Sequence, residues 1–334
     1  MNKIRLAING FGRIGRLACR RLLQMPEIQI VAINDLAPAS SLAHLFQYDS
    51  SQGTYQGTVQ LEEDQLLING QKIQILAERN PKALPWTSLE IDMVLECTGI
   101  FRTREKALQH IQAGAKKVLL SAPAKSEGIP TIVQGINQNE VISNQLVYSN
   151  ASCTTNCLAP ILKIFNDSWG IEHAIMETVH AYTADQNLQD APHSDLRRAR
   201  AAALNIVPTS TGAANAVQLV LPELKGKISA AAMRVPVPTG SLIDLTILPK
   251  SNASIEEINA VYKAAAQGDF KGILAYSEAP LVSSDIVGNP HSCIFDAPLT
   301  NQQGPLVRLV AWYDNESGYA NRLAETALFL AKKS

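Results

Sequence analysis

The sequence predicts an α/β protein in two parts: a doubly wound, mostly parallel sheet wrapped by helices, then an α+β domain with a mostly antiparallel sheet. Three observations predict it. Short apolar strand-like runs alternate with helical runs over the first 150 residues. A Gly-x-Gly-x-x-Gly turn joins the first strand to the first helix. Beyond about residue 150 the strand-like runs lengthen and fewer helices separate them. The 334 residues suffice for two domains, each with its own core. We place the first at residues 1–151 and the second at 152–315, and expect a C-terminal helix over 316–334 to pack back on the first.

In order, residues 4–9 read as a strand, 10–15 as the glycine turn and 16–23 as a helix with apolar residues at helical spacing. Residues 28–33 form a second, nearly continuous apolar strand ending in Asn34-Asp35, which completes a βαβ unit. Residues 93–96 and 117–120 read as further short buried strands, with a helix over 104–113 between them. In the second part, 231–238, 242–248 and 306–313 are extended runs, and 319–332 is an amphipathic helix with Leu323, Ala327, Leu330 and Ala331 near one face.

Composition narrows the function. The chain is 46% hydrophobic and 18% charged, with a net charge of −1, so it has no basic field to recruit nucleic acid or an anionic membrane. No apolar run reaches membrane-spanning length. The N-terminal run has no leader pattern, and the five cysteines (Cys19, Cys97, Cys153, Cys157, Cys293) are odd in number and scattered. Both point to a reducing, cytoplasmic setting rather than a disulfide framework. Cys153-x-x-x-Cys157 has no second Cys/His pair at zinc-ligand spacing, so no metal is expected, and Cys157 is read as a small core residue.

Gly10, Gly12 and Gly15 lie between a strand and a helix, where backbone N–H groups can approach a pyrophosphate. Asp35 follows Gly15 by 20 residues, at a strand end, where a carboxylate accepts hydrogen bonds from an adenosine ribose. These features together define a Rossmann-type dinucleotide site. A 2′-phosphate would meet like charge at Asp35, no arginine directly follows it, and Leu36 and Ala37 offer no side-chain hydrogen bonds. NAD is therefore favoured over NADP.

The run from Ser149 to Cys157 places Cys153 in a small, hydroxyl-rich turn before an apolar helical stretch at 158–164. A thiol there faces the N–H groups and positive end of a helix, which favour thiolate, the nucleophilic form. A cysteine acting on carbonyls needs a base. His180, at the end of a strand-like run, borders a cleft best among six histidines; an imidazolium–thiolate pair with Cys153 would further favour the nucleophile. The alternative is a core histidine satisfied by a backbone carbonyl. Arg197, Arg198 and Arg200, the hydroxyls of 208–212 before a helical run, and Arg234 in a strand suit phosphate.

These runs, with 8–16, 180–183, 195–202, 208–214 and 312–316, make the chain similar over essentially its whole length to phosphorylating glyceraldehyde-3-phosphate dehydrogenases. The resemblance implies NAD-dependent oxidation of glyceraldehyde 3-phosphate with inorganic phosphate to 1,3-bisphosphoglycerate, through a thioester on Cys153 with His180 as base. It implies that Thr183, Arg198 and Arg234 hold the substrate phosphate, and that Ser152, Thr154, Thr211 and Gly212 hold the attacking phosphate. It further implies that Thr98, Ser121 and the backbone of Arg13 and Ile14 line the cofactor groove, that Asn315 orients the nicotinamide beside Tyr319, and that the chain forms a homotetramer with residues 182–208 between subunits. The first domain is then the NAD-binding domain and the second the catalytic one.

The chain departs from the family pattern at Asn215 and Ser317, and Ala191 replaces a leucine before the retained Pro192, which leaves NADP as a weaker alternative. The nearest rival reading is the related erythrose-4-phosphate dehydrogenase, but Tyr182 to Asp185 and Ser210 to Gly212 follow the triose-phosphate pattern. A non-catalytic nucleotide- or RNA-binding protein on the same scaffold would have no chemical need for Cys153 and His180.

Overall fold

The computed structural model describes residues 3–140 and 145–333. The chain divides into two compact units: residues 1–132 with 139–151 and 320–334, and residues 133–138 with 152–319.

The first unit is built on β1 (Ile4–Asn9), α1 (Arg13–Leu22), β2 (Ile28–Asn34), α2 (Ala39–Gln47), β3 (Val59–Glu62), β4 (Gln65–Ile68), β5 (Gln71–Leu76), β6 (Met93–Glu96), α3 (Arg104–Gln112), β7 (Lys117–Leu120) and β8 (Val147–Ser149). Sheet order is β3-β4-β5-β2-β1-β6-β7-β8. The pairs from β5 through β8 are parallel, and β3 and β4 add an antiparallel edge. The chain runs outward from β1 first toward β2 and β5, then toward β6. That reversal opens a crevice at the carboxyl end of β1, where the glycine turn lies. Leu6, Ala7 and Ile8 are fully buried, as expected for a parallel strand covered on both faces. Leu17, Ala18 and Leu22 of α1 share one core with Phe46 and with Leu323, Ala327 and Leu330 of the C-terminal helix. Each such side chain contributes roughly 1.5–3 kcal/mol on burial.

Two features differ from the sequence reading. Helix α1 begins at Arg13, with Gly12 as its N-cap, so Gly15 lies inside the first turn. The turn is that tight because a Cβ on Gly15 would stand 2.1 Å from the Gly10 carbonyl oxygen. The β3–β5 meander was not expected. Its second turn is Asn69-Gly70, both residues with positive φ (50° and 80°), a pair that suits a two-residue hairpin.

The second unit holds α4 (Cys153–Trp169), β9 (Ile171–Ala181), β10 (Val207–Thr209), α5 (Ala213–Val220), β11 (Ile228–Val235), β12 (Ser241–Pro249), α6 (Ile255–Gln267), β13 (Leu274–Ser277), β14 (Cys293–Asp296), β15 (Asn301–Gln303) and β16 (Leu306–Tyr313); α7 (Ser317–Lys332) starts in it and continues into the first unit. Its sheet runs β10-β11-β9-β12-β16-β14-β13, with β15 on β16. Only β9/β11 and β13/β14 are parallel among the described pairs. Ser241, Ile243, Leu245 and Ile247 of β12 are buried in strict alternation. Tyr262 of α6 stacks on Phe295 at 4.1 Å and donates its hydroxyl to the Ile161 carbonyl at 2.7 Å, which ties α6 to α4. The extended run expected over 231–238 ends as a strand at Val235, because Pro236 cannot donate to the ladder. No helix among the described residues is long and apolar enough to cross a membrane.

Candidate active site

Cys153 is the first residue of α4 rather than a residue ahead of it. Ser152 is the N-cap, its Oγ accepting from the Thr155 N–H at 3.1 Å, and Ala151 before it takes a left-handed backbone (φ 57°). The turn therefore delivers the sulfur to the mouth of the helix, where backbone N–H groups of Cys153 and Thr154 donate to it.

His180 is the penultimate residue of β9, and its Nε2 stands 3.5 Å from the Cys153 Sγ. Its Nδ1 lies 2.6 Å from the Ala181 carbonyl oxygen. That contact assigns the ring hydrogen to Nδ1 and leaves a lone pair on Nε2 facing the thiol. His180 is thus a buried histidine satisfied by a backbone carbonyl, and it also stands beside the cysteine. Parallel pairing of β9 with β11 sets Arg234 directly opposite His180. The guanidinium Nη1 donates to the Ala181 carbonyl (3.0 Å) and the Thr183 Oγ1 (3.3 Å) and lies 3.1 Å from the His180 ring.

The charge state differs from the expected imidazolium–thiolate pair. Burial, then the Arg234 cation, pushes His180 down to about 3, so the imidazole is neutral at physiological pH. Burial also pushes the Cys153 thiol up, against the pull of Arg234 and the hydrogen bonds at the helix mouth. A site this dry disfavours both charged partners. It holds a thiol beside a neutral imidazole, the form of histidine that can accept a proton.

Behind the sulfur runs a buried hydroxyl chain the sequence reading did not assign. The Thr154 Oγ1 lies 2.9 Å from the Tyr313 hydroxyl, which lies 2.8 Å from the Thr178 Oγ1, which donates to the Leu242 carbonyl at 2.9 Å. One hydrogen per contact fixes the direction: Thr154 to Tyr313 to Thr178 to Leu242. The Thr154 hydroxyl therefore gives its hydrogen to the core, while its oxygen stays 4.0 Å from the Cys153 Sγ and the residue's N–H also faces the sulfur. Tyr313 sat in a run already singled out, but a strand tyrosine carries no sequence mark of this duty.

The anion-suited residues fall into two groups. Thr183 joins Arg234 beside His180. Arg198 is held apart by Asp185, by the Thr209 Oγ1 (2.9 Å) and by the Ser210 carbonyl (3.1 Å), with Asp195 at 3.6 Å. Its field still reaches His180 and Arg234 and lowers both. Thr211 accepts from the Ala213 N–H at 3.2 Å, and Gly212 is the N-cap of α5, so both lie at a helix N-terminus.

In the first unit a cavity of about 410 Å³ is lined by Asn9, Gly10, Gly12, Asn34, Asp35, Leu36, Glu78, Arg79, Cys97, Thr98, Ile100 and Phe101. Gly10 adopts φ 92°, and a Cβ there would meet the Thr98 backbone N at 2.7 Å. A Cβ on Gly12 would meet nothing within 4 Å, so the glycine leaves open a cradle that a side chain would fill. Asp35 accepts from the Phe11 N–H (2.7 Å) and the Ala37 N–H (3.0 Å), which fixes its carboxylate. No arginine directly follows Asp35 in the chain, yet Arg79, beyond β5, lines the same cavity; its distance in sequence concealed it. Arg13 and Ile14 open α1, and Arg13 reaches Asp49 at 2.6 Å. Ser121 shares a hydrogen bond with the Cys97 thiol. Asn315 lies in the second unit, its Oδ1 accepting from the Gly240 N–H (3.1 Å) and the Ser241 hydroxyl (2.9 Å).

A dinucleotide fold joined in one chain to a cysteine–histidine pair with an arginine beside it defines a cysteine-dependent dehydrogenase acting on a phosphorylated substrate. Comparison with known proteins narrows this to one family. Residues 4–104 match the family model "Glyceraldehyde 3-phosphate dehydrogenase, NAD binding domain", and 152–315 match "Glyceraldehyde 3-phosphate dehydrogenase, C-terminal domain". The chain is 53% identical over 332 residues to glyceraldehyde-3-phosphate dehydrogenase 1 of Bacillus subtilis, covering 99% of both chains. It is 53% identical over 329 residues to glyceraldehyde-3-phosphate dehydrogenase 2 of Streptomyces arenae, covering 98% of both. It is 54% identical over 336 aligned positions to glyceraldehyde-3-phosphate dehydrogenase of Mycobacterium tuberculosis, covering 98% of this chain and 99% of the relative. The chain belongs to the glyceraldehyde-3-phosphate dehydrogenase family, and its first domain is an NAD-binding domain.

Proposed function

We propose that this protein oxidises D-glyceraldehyde 3-phosphate with NAD and inorganic phosphate, and releases 1,3-bisphosphoglycerate. The observation that carries the reading is the Cys153 Sγ facing the lone-pair nitrogen of His180 at 3.5 Å, with the far nitrogen tied to a carbonyl. The residues of the cavity fit a dinucleotide. The glycine turn and the start of α1 suit its pyrophosphate, Asp35 suits a ribose, and Thr98, Ser121 and Asn315 complete the set we assign to it. When bound, NAD supplies the hydride acceptor.

The chain's own groups do the rest. The Cys153 sulfur adds to the aldehyde carbon, and its proton passes through Nε2 of His180 to the former carbonyl oxygen, giving a neutral hemithioacetal and a free Nε2. His180 takes the hydroxyl proton of that adduct as the carbon is oxidised, leaving a thioester on Cys153. Backbone N–H at the helix mouth stabilises the oxyanion at each tetrahedral stage. Inorganic phosphate then attacks the thioester carbon, the C–S bond breaks, and the acyl phosphate leaves. Thr183, Arg198 and Arg234 are assigned to the substrate phosphate. Ser152, Thr211, Gly212 and the N–H of Thr154 are assigned to the attacking phosphate.

We further propose a homotetramer in the cytoplasm. Leu188, Leu196, Leu204 and Ile206, all within residues 182–208, are 69–83% exposed in a single chain, which supports their burial between subunits. Initial rates test the catalytic reading. Reduction of NAD is expected with glyceraldehyde 3-phosphate only when phosphate is present. Faster, phosphate-independent turnover of erythrose 4-phosphate would contradict it.

A further inference from the structure

Beneath the dinucleotide cavity lies a buried carboxylate with no role in the reaction above. Glu96 ends β6 and is 2% exposed. One of its oxygens accepts from the Asn9 Nδ2 at 2.5 Å and sits 3.1 Å from the His110 Nε2. The other accepts from the Thr98 N–H at 2.8 Å and from the Thr98 hydroxyl. The tautomer of His110 is fixed from behind: the Trp86 indole N–H donates to its Nδ1 at 3.1 Å, so Nε2 carries the hydrogen and donates to Glu96. The chain continues on the far side. Asn34 donates to the Asn9 Oδ1 at 2.7 Å and accepts from the Glu78 N–H at 2.8 Å.

Four hydrogens of this network point at Glu96: those of the Asn9 amide, the His110 ring, the Thr98 N–H and the Thr98 hydroxyl. A carboxylate is acceptor-only and takes all four. Four of the linked residues, Asn9, Asn34, Glu78 and Thr98, also line the cavity. Because the Thr98 hydroxyl gives its hydrogen to Glu96 and receives the Ile100 N–H at 3.1 Å, it can meet a ligand only as an acceptor. His110 and Trp86 are fully buried, so the network cannot relax toward water.

We propose that Glu96 is a positioning residue for the cofactor. By drawing in the hydrogens of Thr98 and Asn9 it fixes the rotamers of both, and turns the Thr98 lone pair toward hydrogen-donating groups of the dinucleotide. This rests on the NAD-dependent reading of the same cavity. Glu96→Gln is nearly isosteric but replaces one acceptor oxygen with an amide donor, so a pair of donors loses its partner. Thr98→Val keeps the carboxylate and removes one hydrogen.

Calorimetric titration with NAD tests it on the full chain. The unsubstituted protein is expected to bind. Glu96→Gln and Thr98→Val are each expected to weaken NAD by about tenfold or more, and the double variant to bind no worse than the weaker single, because both act through one hydrogen bond. In Glu96→Gln the KM for NAD should rise by a similar factor, with kcat at saturating NAD changed less than twofold. If Glu96→Gln binds NAD within twofold of the unsubstituted protein, or kcat falls in step with affinity, the positioning role is overturned while the functional reading stands. Should Glu96→Gln fail to fold, unchanged affinity in Thr98→Val overturns it equally. An unsubstituted protein that does not bind NAD removes the functional reading and this proposal together.

Discussion

The guanidinium of Arg234 lies 3.1 Å from the ring of His180, held there by the parallel register of β9 and β11. Burial holds this imidazole neutral, and the Arg234 cation adds to that while drawing the thiol beside it down against the larger effect of burial.

Removing that cation separates the two effects. Arg234→Ala should move the pKa of both Cys153 and His180 upward, because Arg234 lowers each. The pH profile of iodoacetamide alkylation at Cys153 should shift to higher pH, with a slower rate at pH 7. A profile shifted to lower pH, or unmoved, would remove Arg234 from the electrostatics of the pair.

His180→Asn should slow turnover by about a hundredfold to ten-thousandfold, the range a positioned general base supplies. NAD affinity should stay within a factor of two, since the cavity of the first unit contains no part of His180. Stopped-flow detection of NADH and equilibrium titration read the two quantities separately.

The buried imidazole also links stability to pH. Its folded value, about 3, lies below the ordinary 6.5, so between these values the unfolded chain binds a proton that the folded one refuses. Above pH 6.5 the group contributes nothing; as pH falls toward 3, stability is lost, by a few kcal/mol in all. Urea unfolding of the original protein and of His180→Asn should therefore converge or cross as pH falls. A constant difference between them from pH 7 to pH 4 would contradict the buried, neutral assignment.

Tyr313→Phe cuts the hydroxyl chain between Thr154 and Thr178. With two buried hydroxyls left short of a partner, unfolding free energy should fall by roughly 1–3 kcal/mol. Alkylation of Cys153 should slow, because the first turn of α4 loses its anchor. Thermal unfolding and alkylation rates check both.

The glycines of the dinucleotide turn should behave oppositely. Gly15→Ala forces a Cβ to within 2.1 Å of the Gly10 carbonyl oxygen and should destabilise the fold severely. Gly12→Ala meets open space in the protein and should leave the melting temperature nearly unchanged while weakening NAD. Differential scanning fluorimetry with and without NAD distinguishes the two.

The parallel sheet was legible because its strands are continuous apolar runs bounded by turns: β1, β6 and β7 lie where periodicity put them. The β3–β5 edge was passed over although Asn69-Gly70 between alternating apolar residues is a hairpin signal. The place of Cys153 at a helix mouth was legible from its turn and the apolar run after it. Its closeness to His180 was not, since nothing in a separation of 27 residues places two side chains at 3.5 Å; the strand end only made His180 the best of six histidines. Charge states escaped the sequence because burial decides them, and a motif does not show how dry a site is. Glu96 and Tyr313 escaped for a related reason. Each ends an apolar strand, and its partners are gathered only by the folded sheet.

The most direct test of the central claim is mass spectrometry of the protein quenched during turnover of glyceraldehyde 3-phosphate with NAD and without phosphate. An acyl adduct is expected on the peptide that carries Cys153, and it should disappear when phosphate is added. An adduct on another residue, or full turnover by Cys153→Ser, would contradict it.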